Sequence, residues 1–217
     1  MRIVLYAVST PHASEVLETA ARLGWEVAAV VRNTPDAPVP AELPAAVDAA
    51  ALDPELLALD FAVPQTNPVN RYVAARDARG RGFRRAATMI DPTAVVAASA
   101  HIEVGCYVGA GAVIGAGARL GEGSLVNRSC SVAHHVGFGA YVCTGPGVVI
   151  AGSCRIGDGA FLGAGAVLSP ERQIGAGAVV GAGAVVVRDV APGDVVVGNP
   201  ARVLRRAEIP PGVPWAG

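Results

Sequence analysis

The sequence is poor in aromatic residues and nearly neutral in charge. Phe, Trp and Tyr together make up 5% of its 217 residues, and the formal net charge is −1. This composition favours small side chains packed at high density over a core built on large rings. The broad positive field with which proteins bind nucleic acid or anionic lipid is also absent, so we expect neither a nucleic-acid partner nor a membrane partner.

Long apolar runs and paired cysteine motifs are lacking as well. No stretch reaches the roughly 18 uninterrupted apolar residues that a membrane span needs, and the opening MRIVLYAV is typical of a strand rather than a signal peptide. The four cysteines, Cys106, Cys130, Cys143 and Cys154, have no CxxC spacing, which favours reduced thiols over a structural zinc site. We expect a cytoplasmic protein without a bound metal.

Small residues and glycine are abundant, and from Ile90 onward they follow a period of six. Fifteen of the sixteen first positions of consecutive blocks are large and apolar, Thr144 being the exception, and the fifth position is small in most blocks. A period of six residues matches neither the 3.6-residue turn of an α-helix nor the seven-residue repeat of a coiled coil, which excludes a helix. Three such blocks form one triangular coil, and coils stack about 4.8 Å apart through parallel β hydrogen bonds. The repeat predicts a left-handed parallel β-helix in which Cys106, Cys130 and Cys154 pack inside as small apolar groups.

The segment before the repeat alternates strands and helices. MRIVLYAV, EVAAVV and DFAV are strand patterns, HASEVLETAARLGW is an amphipathic helix, and NPVNRYVAARDARG is a helix capped by Asn67 and ended by Gly80. Residues 33–59 form a long connection with one or two short helices. The pattern predicts a Rossmann-like α/β domain over 1–86, the β-helix over 87–205 and a tail over 206–217. The loop AVSTPHAS after the first strand has no glycine, so a degenerate and a working nucleotide site both remain open.

The chain has four histidines, and two adjacent ones are candidates for a catalytic base. His134 and His135 occupy the third and fourth positions of the block VAHHVG, at a corner, and eighteen residues beyond His134 stands Gly152. A glycine directly above a histidine leaves room for the imidazole and an approachable backbone N–H. Acyl transfer from a thioester needs these two parts, a base near neutral pKa and an amide dipole for the carbonyl. In isolation the two histidines would be exposed corner residues, and within an unbroken β-helix we interpret His134 as catalytic.

Two further patterns bear on ligands. The column formed by Pro146, Ala164 and Ala182 predicts a groove for the extended pantetheine arm of coenzyme A. The rival chemistry is a zinc site, as in β-helix carbonic anhydrases. Its third ligand would have to be His101, about two coils below and at a different point of the block, which is poor geometry.

Taken together, these features resemble the NeuD-type family of bacterial sugar acyltransferases, over nearly the whole chain. The resemblance rests on four motifs: the turn formed by Tyr6, Ser9 and His12, MIDPTA at 89–94, VNRSCSVAHHVGFGAYV at 126–142 and VVGNPARVL at 196–204. It implies an acetyl-CoA-dependent N- or O-acetyltransferase whose acceptor is a sugar or a nucleotide-linked sugar. His134 would be the general base, Asn127 an active-site neighbour, and Gly152 the donor to the acetyl carbonyl.

The resemblance also implies how coenzyme A is held and how chains assemble. Coenzyme A would lie along Ala164, Ala182 and Pro200, with Arg202 at its phosphates. Residues 1–86 would bind the acceptor, a small sugar molecule. Members of the family are homotrimers with each active site between neighbouring β-helices.

Three positions depart from the family's pattern. Ala133 and His135 replace an acidic neighbour of the catalytic histidine, which leaves a backbone carbonyl, water or another subunit to orient His134. His135 joins the candidate catalytic residues. Cys143 replaces a second histidine near the thioester, either as a simple substitution or as a candidate nucleophile or coenzyme A contact. Arg32 and Asn33 replace paired acidic residues after the second strand. The candidate substrate-binding residues are His12, Ser9, Arg32 and Asn33.

Two other functions compete with the acetyltransferase. One is an acyltransferase with an acceptor that is not nucleotide-linked, or with a longer acyl donor. The other is a non-enzymatic or metal-binding β-helix trimer.

Overall fold

The N-terminal part of the chain is a small α/β domain. A computed structural model describes residues 1–32, 34 and 38–216. Its first elements are β1 (Arg2–Tyr6), α1 (His12–Arg22), β2 (Glu26–Arg32), β3 (Ala46–Asp48), β4 (Asp60–Ala62) and α2 (Pro68–Gly80), with short 3-10 helices at Ala49–Ala51 and Pro54–Ala58. The four strands form a parallel sheet in the order β3-β2-β1-β4. The predicted α/β alternation is confirmed, and β3 is an addition, since it lies within the stretch predicted as a connection.

A side-chain cap starts α2, and one buried face holds α1 against the rest of the protein. In α2, the Asn67 side chain accepts a hydrogen bond from the Asn70 amide at 3.1 Å, as the sequence predicted, and Pro68 takes the first turn, where no backbone donor is needed. α1 buries Val16, Thr19 and Ala20 on one face. Within the described part of the chain, neither helix is long and apolar enough to cross a membrane.

The rest of the chain winds into the left-handed β-helix that the six-residue period predicted. Its strands are β5 (Met89–Ile90), β6 (Val95–Val96), β7 (His101–Ile102), β8 (Tyr107–Val108), β9 (Val113–Ile114), β10 (Arg119–Leu120), β11 (Leu125–Val126), β12 (Ser131–Val132), β13 (Gly137–Phe138), β14 (Cys143–Thr144), β15 (Val149–Ile150), β16 (Arg155–Ile156), β17 (Phe161–Leu162), β18 (Val167–Leu168), β19 (Gln173–Ile174), β20 (Val179–Val180), β21 (Val185–Val186), β22 (Asp194–Val197) and β23 (Arg202–Arg206).

The ladder register fixes which residues stack. Strands pair in parallel with partners eighteen residues apart, such as Leu125 with Tyr107 and Val149 with Ser131. The first position of each block points inward to form the core, and the fifth position fills it near the corners. Cys106, Cys130 and Cys154 are all buried there, as predicted.

The three faces of the β-helix differ in their outward residues. The covered face (β5, β8, β11, β14, β17, β20) packs against α1 and the N-terminal sheet. The polar face (β7, β10, β13, β16, β19) presents His101, Arg119, Gly137, Arg155 and Gln173. The valine face (β6, β9, β12, β15, β18, β21) presents five valines and Ser131. Four of these valines have 37–64% of their surface exposed: Val95, Val113, Val149 and Val167.

Two buried polar side chains join the α/β domain to the β-helix. Arg71 of α2 donates to the carbonyls of Gly123 at 2.6 Å and Gly105 at 3.0 Å, both on corners of the β-helix. Asp91, in the first coil, accepts from Arg22 Nη2 at 2.6 Å and Thr19 Oγ1 at 2.9 Å on α1. Since buried charges are tolerated only with such partners, these bonds specify one docking of the domain.

Candidate active site

His134 and His135 occupy the corner between the valine face and the polar face. Their Nδ1 atoms lie 3.1 Å apart, so one ring donates a hydrogen bond to the other. His135 has φ of 57°, a left-handed conformation that glycine adopts at most other corners of the β-helix. Ser129, Tyr141, Ser153 and Glu171 adopt the same conformation at equivalent corners, so it belongs to the coil rather than to this site alone. The ring partner of His134 is its neighbour His135 rather than the backbone carbonyl, water or second subunit predicted from the sequence.

Gly152 lies directly above the imidazole of His134. A Cβ at position 152 would lie 2.5 Å from His134 Cε1 and 2.7 Å from Nε2, so only glycine fits beside the ring. The Ser153 N–H donates to the His134 carbonyl at 3.0 Å, which ties the two coils together. The Gly152 N–H donates to no acceptor among residues 1–32, 34 and 38–216. The corner thus presents a ring nitrogen next to an unused amide donor, the pair that acyl transfer requires.

A cavity of about 580 Å³ lies along the other edge of the valine face, where the β-helix meets α1. Its lining brings together four residues predicted separately from sequence: His12, Asn127, Ala164 and Ala182. The small side chains of the column at 146, 164 and 182 leave a groove, as their spacing suggested. His134 is on the opposite edge of the face.

Thr144, the one polar residue in the inward column, explains how Asn127 is held. Its buried Oγ1 accepts a hydrogen bond from the Asn127 backbone N–H at 2.9 Å. The Asn127 Oδ1 in turn accepts from the Arg128 N–H at 2.8 Å. With its oxygen engaged in this way, Asn127 keeps its amide NH₂ for a ligand. The role of Thr144 was not predicted, although a hydroxyl in an otherwise apolar column is the sequence signal for it.

His12 lines the same cavity as an uncharged ring. Burial, reinforced by the nearby guanidinium groups of Arg71 and Arg128, lowers its pKa to about 4. Its Nε2 atom is buried without a hydrogen-bond partner among the described residues, and its ring packs edge-on against Tyr107 with centroids 5.2 Å apart. An orphaned ring nitrogen at a cavity wall is a place for a polar ligand group.

Four other candidates, Ser9, Arg32, Pro200 and Arg202, do not line this cavity. Ser9 Oγ accepts from Gln65 Nε2 at 2.7 Å, at the carboxyl ends of β1 and β4. Arg32 pairs with Asp48 at 2.6 Å. Pro200 and Arg202 are exposed on the last coil. Asn33 lies outside the described residues.

Cys143 requires a correction. Its side chain is fully buried between the β-helix and the α/β domain, and burial raises the pKa of its thiol to about 12. A protonated thiol without access to solvent can neither attack a thioester nor contact coenzyme A. The prediction that Cys143 contacts coenzyme A is wrong because the covered face turns this position toward the α/β domain.

The histidines are not part of a metal-ligand cluster in the part of the chain that the structure describes. Among the described residues of one chain, no group of three His, Cys, Asp or Glu side chains could hold a metal ion. His101 lies on the polar face, paired in register with Arg119.

Comparisons with known proteins agree with the fold and the repeat. The family model described as bacterial transferase hexapeptide (six repeats) matches residues 135–170 and 153–188. None of the curated proteins matches the chain by sequence.

Solved structures resemble nearly the whole chain. One is a mutant form of perosamine N-acetyltransferase from Caulobacter crescentus in complex with CoA and GDP-perosamine, at 33% identity and a TM-score of 0.85, covering 94% of this chain and 96% of that one. Another is the acetyltransferase domain of PglB from Neisseria gonorrhoeae with acetyl coenzyme A, at 32% identity and a TM-score of 0.82, covering 94% and 98%. WeeI from Acinetobacter baumannii, at 23% identity and a TM-score of 0.82, covers 94% and 99% and shares the fold. The chain belongs to the NeuD-type family of hexapeptide-repeat sugar acyltransferases.

Proposed function

We propose that this protein transfers an acetyl group from acetyl-CoA to an amino group of a sugar, with His134 as general base. The observation that carries the proposal is that Gly152, whose backbone N–H has no acceptor among the described residues, packs against the His134 imidazole. A base and an amide donor on one corner match the two charges that develop when an amine attacks a thioester. Perosamine N-acetyltransferase and the PglB domain, crystallised with CoA and acetyl-CoA, support the donor.

The reaction proceeds by direct transfer. The His134 Nε2 accepts a proton from the amine as its nitrogen bonds to the thioester carbonyl carbon. The carbonyl oxygen becomes an oxyanion and takes a hydrogen bond from the Gly152 N–H. The C–S bond then breaks, the carbonyl re-forms, and the coenzyme A thiolate takes the proton from His134. Products are the acetamide and free coenzyme A, and His134 returns to its neutral form.

His135 supports this cycle through its Nδ1. A hydrogen bond from His134 Nδ1–H to His135 Nδ1, at 3.1 Å, fixes the tautomer in which His134 Nε2 is free to accept a proton. This neutral partner takes the place of the acidic residue that the family often carries.

The acceptor binds in the part of the cavity beside α1, where the proposed acceptor domain of residues 1–86 meets the β-helix. His12 offers its unpartnered Nε2 and Asn127 its amide NH₂, both suited to sugar hydroxyl or amino groups. We propose that Ser9, Arg32 and Asn33 border the remainder of the acceptor. The complex of perosamine N-acetyltransferase with GDP-perosamine supports a nucleotide-linked sugar. Coenzyme A extends along Ala164 and Ala182, with Pro200 and Arg202 at its far end.

The active protein is a homotrimer with each site between two chains. The valine face is proposed as the interface because four of its outward valines, on either side of Ser131, are otherwise left in water. Its two edges carry the two halves of the site: the His134 corner on one and the Asn127 cavity on the other. Three valine faces around one axis would place the His134 corner of one chain beside the cavity of the next.

The test of the proposed function is release of coenzyme A, followed with a thiol reagent, from acetyl-CoA and amino-sugar nucleotides. Wild-type protein should release it and His134→Ala should not, while Gln173→Ala on the polar face should match wild type. Full turnover by His134→Ala would refute the assignment of the base. Turnover only with free sugars, or only with longer acyl donors, would establish the competing acyltransferase instead.

A further inference from the structure

We propose that Arg155 is a positioning residue for the His134–His135 pair, an assignment that rests on the acetyl transfer proposed above. Arg155 belongs to β16, on the polar face one coil above the two histidines. It touches neither of the proposed reacting groups. Its role is to hold the backbone of His135 so that the His135 ring stays against His134.

The contact that carries this role is short and direct. Arg155 Nη1 donates a hydrogen bond to the His135 carbonyl at 2.7 Å, and a second, longer one to the Cys154 carbonyl at 3.4 Å. A guanidinium donor makes a stronger hydrogen bond to a carbonyl than a neutral donor does. The same nitrogen thus spans from its own coil to the corner of the coil below.

Gly137 opens the path for the guanidinium. Gly137 pairs in register with Arg155 and has no side chain on the polar face. A Cβ there would lie 3.4 Å from Arg155 Cδ and 3.6 Å from Nη1, so the arginine side chain lies flat over this glycine. A single methyl group at position 137 would only touch the arginine, whereas a side chain that extends further over the polar face would compete with Arg155 for this space.

His135 needs this support because of its backbone. Its φ of 57° is unfavourable for a residue with a side chain. Gly117, on the coil below, packs against the His135 ring: a Cβ at position 117 would lie 3.0 Å from His135 Cδ2. The ring is thus confined from below and the carbonyl is held from above, which keeps Nδ1 directed at His134.

Arg119 provides a matched control. It occupies the same block position on the same face, two coils below Arg155. Its backbone N–H donates to the Val136 carbonyl at 2.9 Å, but among the described residues its side chain forms no hydrogen bond or ion pair, with either histidine or any other residue. Removing its charge changes the field of the polar face without removing the bond to His135.

The experiment compares Arg155→Gln, Arg155→Lys and Arg119→Gln in steady-state assays with acetyl-CoA and the accepted sugar. We expect Arg155→Gln to lower kcat about tenfold through misorientation of the base, with KM for both substrates within about twofold of wild type. Arg155→Lys, which keeps a charged donor, should recover part of kcat, and Arg119→Gln should match wild type. Equal kcat for the two glutamine variants would overturn the proposal. So would a loss confined to KM, which would make Arg155 a ligand-binding residue.

A second measurement needs no substrate. Because the chain has four histidines, protein labelled with ¹⁵N-histidine gives long-range ¹H–¹⁵N spectra that report the protonated ring nitrogens. The Nδ1–H shared by His134 and His135 should be present in wild type and Arg119→Gln and lost in Arg155→Gln. Its survival in Arg155→Gln would overturn the positioning role. If wild-type protein released no coenzyme A, the proposed function would fail while this comparison still decided the role of Arg155.

Discussion

Thr144 Oγ1, inside the β-helix, accepts a hydrogen bond at 2.9 Å from the backbone N–H of Asn127, which lines the cavity outside. The bond crosses the wall of the β-helix from core to site. An apolar residue at position 144 would fit the column of Val, Ile and Leu above and below it. A hydroxyl there therefore serves the site rather than the core.

The variant Thr144→Val tests whether the hydroxyl of Thr144 is needed for activity rather than for stability. The variant keeps the shape of the side chain and removes the acceptor for Asn127, so we expect kcat to fall about tenfold through misplacement of Asn127. Thr144→Ser keeps the hydroxyl and loses a buried methyl group, so it should retain kcat and lose about 1 kcal/mol of stability. Steady-state kinetics and denaturant unfolding of both variants measure the two effects. Equal kcat in the two variants would contradict the role of the hydroxyl.

Gly152→Ala should inactivate the protein without unfolding it. The added methyl group would lie 2.5 Å from His134 Cε1, so the exposed imidazole must swing away, and we expect a loss of kcat of about 100-fold. Gly80→Ala, at the end of α2 with open space around it, is the control and should leave kcat unchanged. Circular dichroism verifies that both variants fold. Wild-type kcat in Gly152→Ala would show that the ring position is irrelevant.

His135→Ala should reduce the rate less than His134→Ala does. It removes the ring nitrogen 3.1 Å from His134 Nδ1 but leaves the proposed base in place, so we expect kcat to fall about tenfold, within the range for an oriented base. His101→Ala, on the polar face, is the control. Thiol-release assays measure all three variants, and a His135→Ala rate equal to wild type would exclude His135 as the orienting partner.

Asp91 should make the docking of the α/β domain sensitive to acid. Although burial of its side chain opposes ionisation, hydrogen bonds from Arg22, Thr93 and Thr19 prevail and lower the pKa of Asp91 to about 2, below its ordinary value near 4. A depressed folded-state pKa adds stability above the unfolded-state pKa, and this stability is lost as pH falls from about 4 through 2. Asp91→Asn should therefore cost roughly 2 kcal/mol at pH 7.

Measurements at several pH values distinguish the contribution of the Asp91 charge to stability from the contribution of its packing. The difference in unfolding free energy between wild type and Asp91→Asn should shrink as pH falls from 5 to 2, with Asp53→Asn, at an exposed turn, as the control. Chemical unfolding at each pH gives the measurement. A difference that is constant over that range would rule out the charge of Asp91 as its source.

Val149→Lys should dissociate the proposed trimer. Val149 is 42% exposed near the middle of the valine face, and three lysines brought to one axis would be desolvated and would repel each other. Light scattering should give three times the 21.8 kDa chain mass for wild type and for Gln173→Lys on the polar face. It should give a single chain for Val149→Lys, with loss of activity because the two halves of the site separate. A trimeric Val149→Lys would reject the valine face as the interface.

Much of the architecture followed from local pattern. The six-residue period specified the inward positions and the eighteen-residue stacking, because a β-helix coil repeats one backbone geometry. The same arithmetic placed His134 under Gly152. It could not place Cys143, whose environment depends on the domain that covers that face, nor β3, whose short strand is stabilised by pairing with β2 rather than by its own pattern.

The sequence by itself determined the β-helix, its phase, and the corner with His134 and Gly152, since each depends only on counting residues along a regular coil. Tertiary structure alone decided the contacts between coils and domains. These include the hydrogen bond between His134 and His135, the hydrogen bond from Arg155 to the His135 carbonyl, the hydrogen bond from the Asn127 N–H to Thr144 Oγ1, and the burial of Cys143. Such contacts depend on side-chain direction and on which face the α/β domain covers, and the six-residue period determines neither.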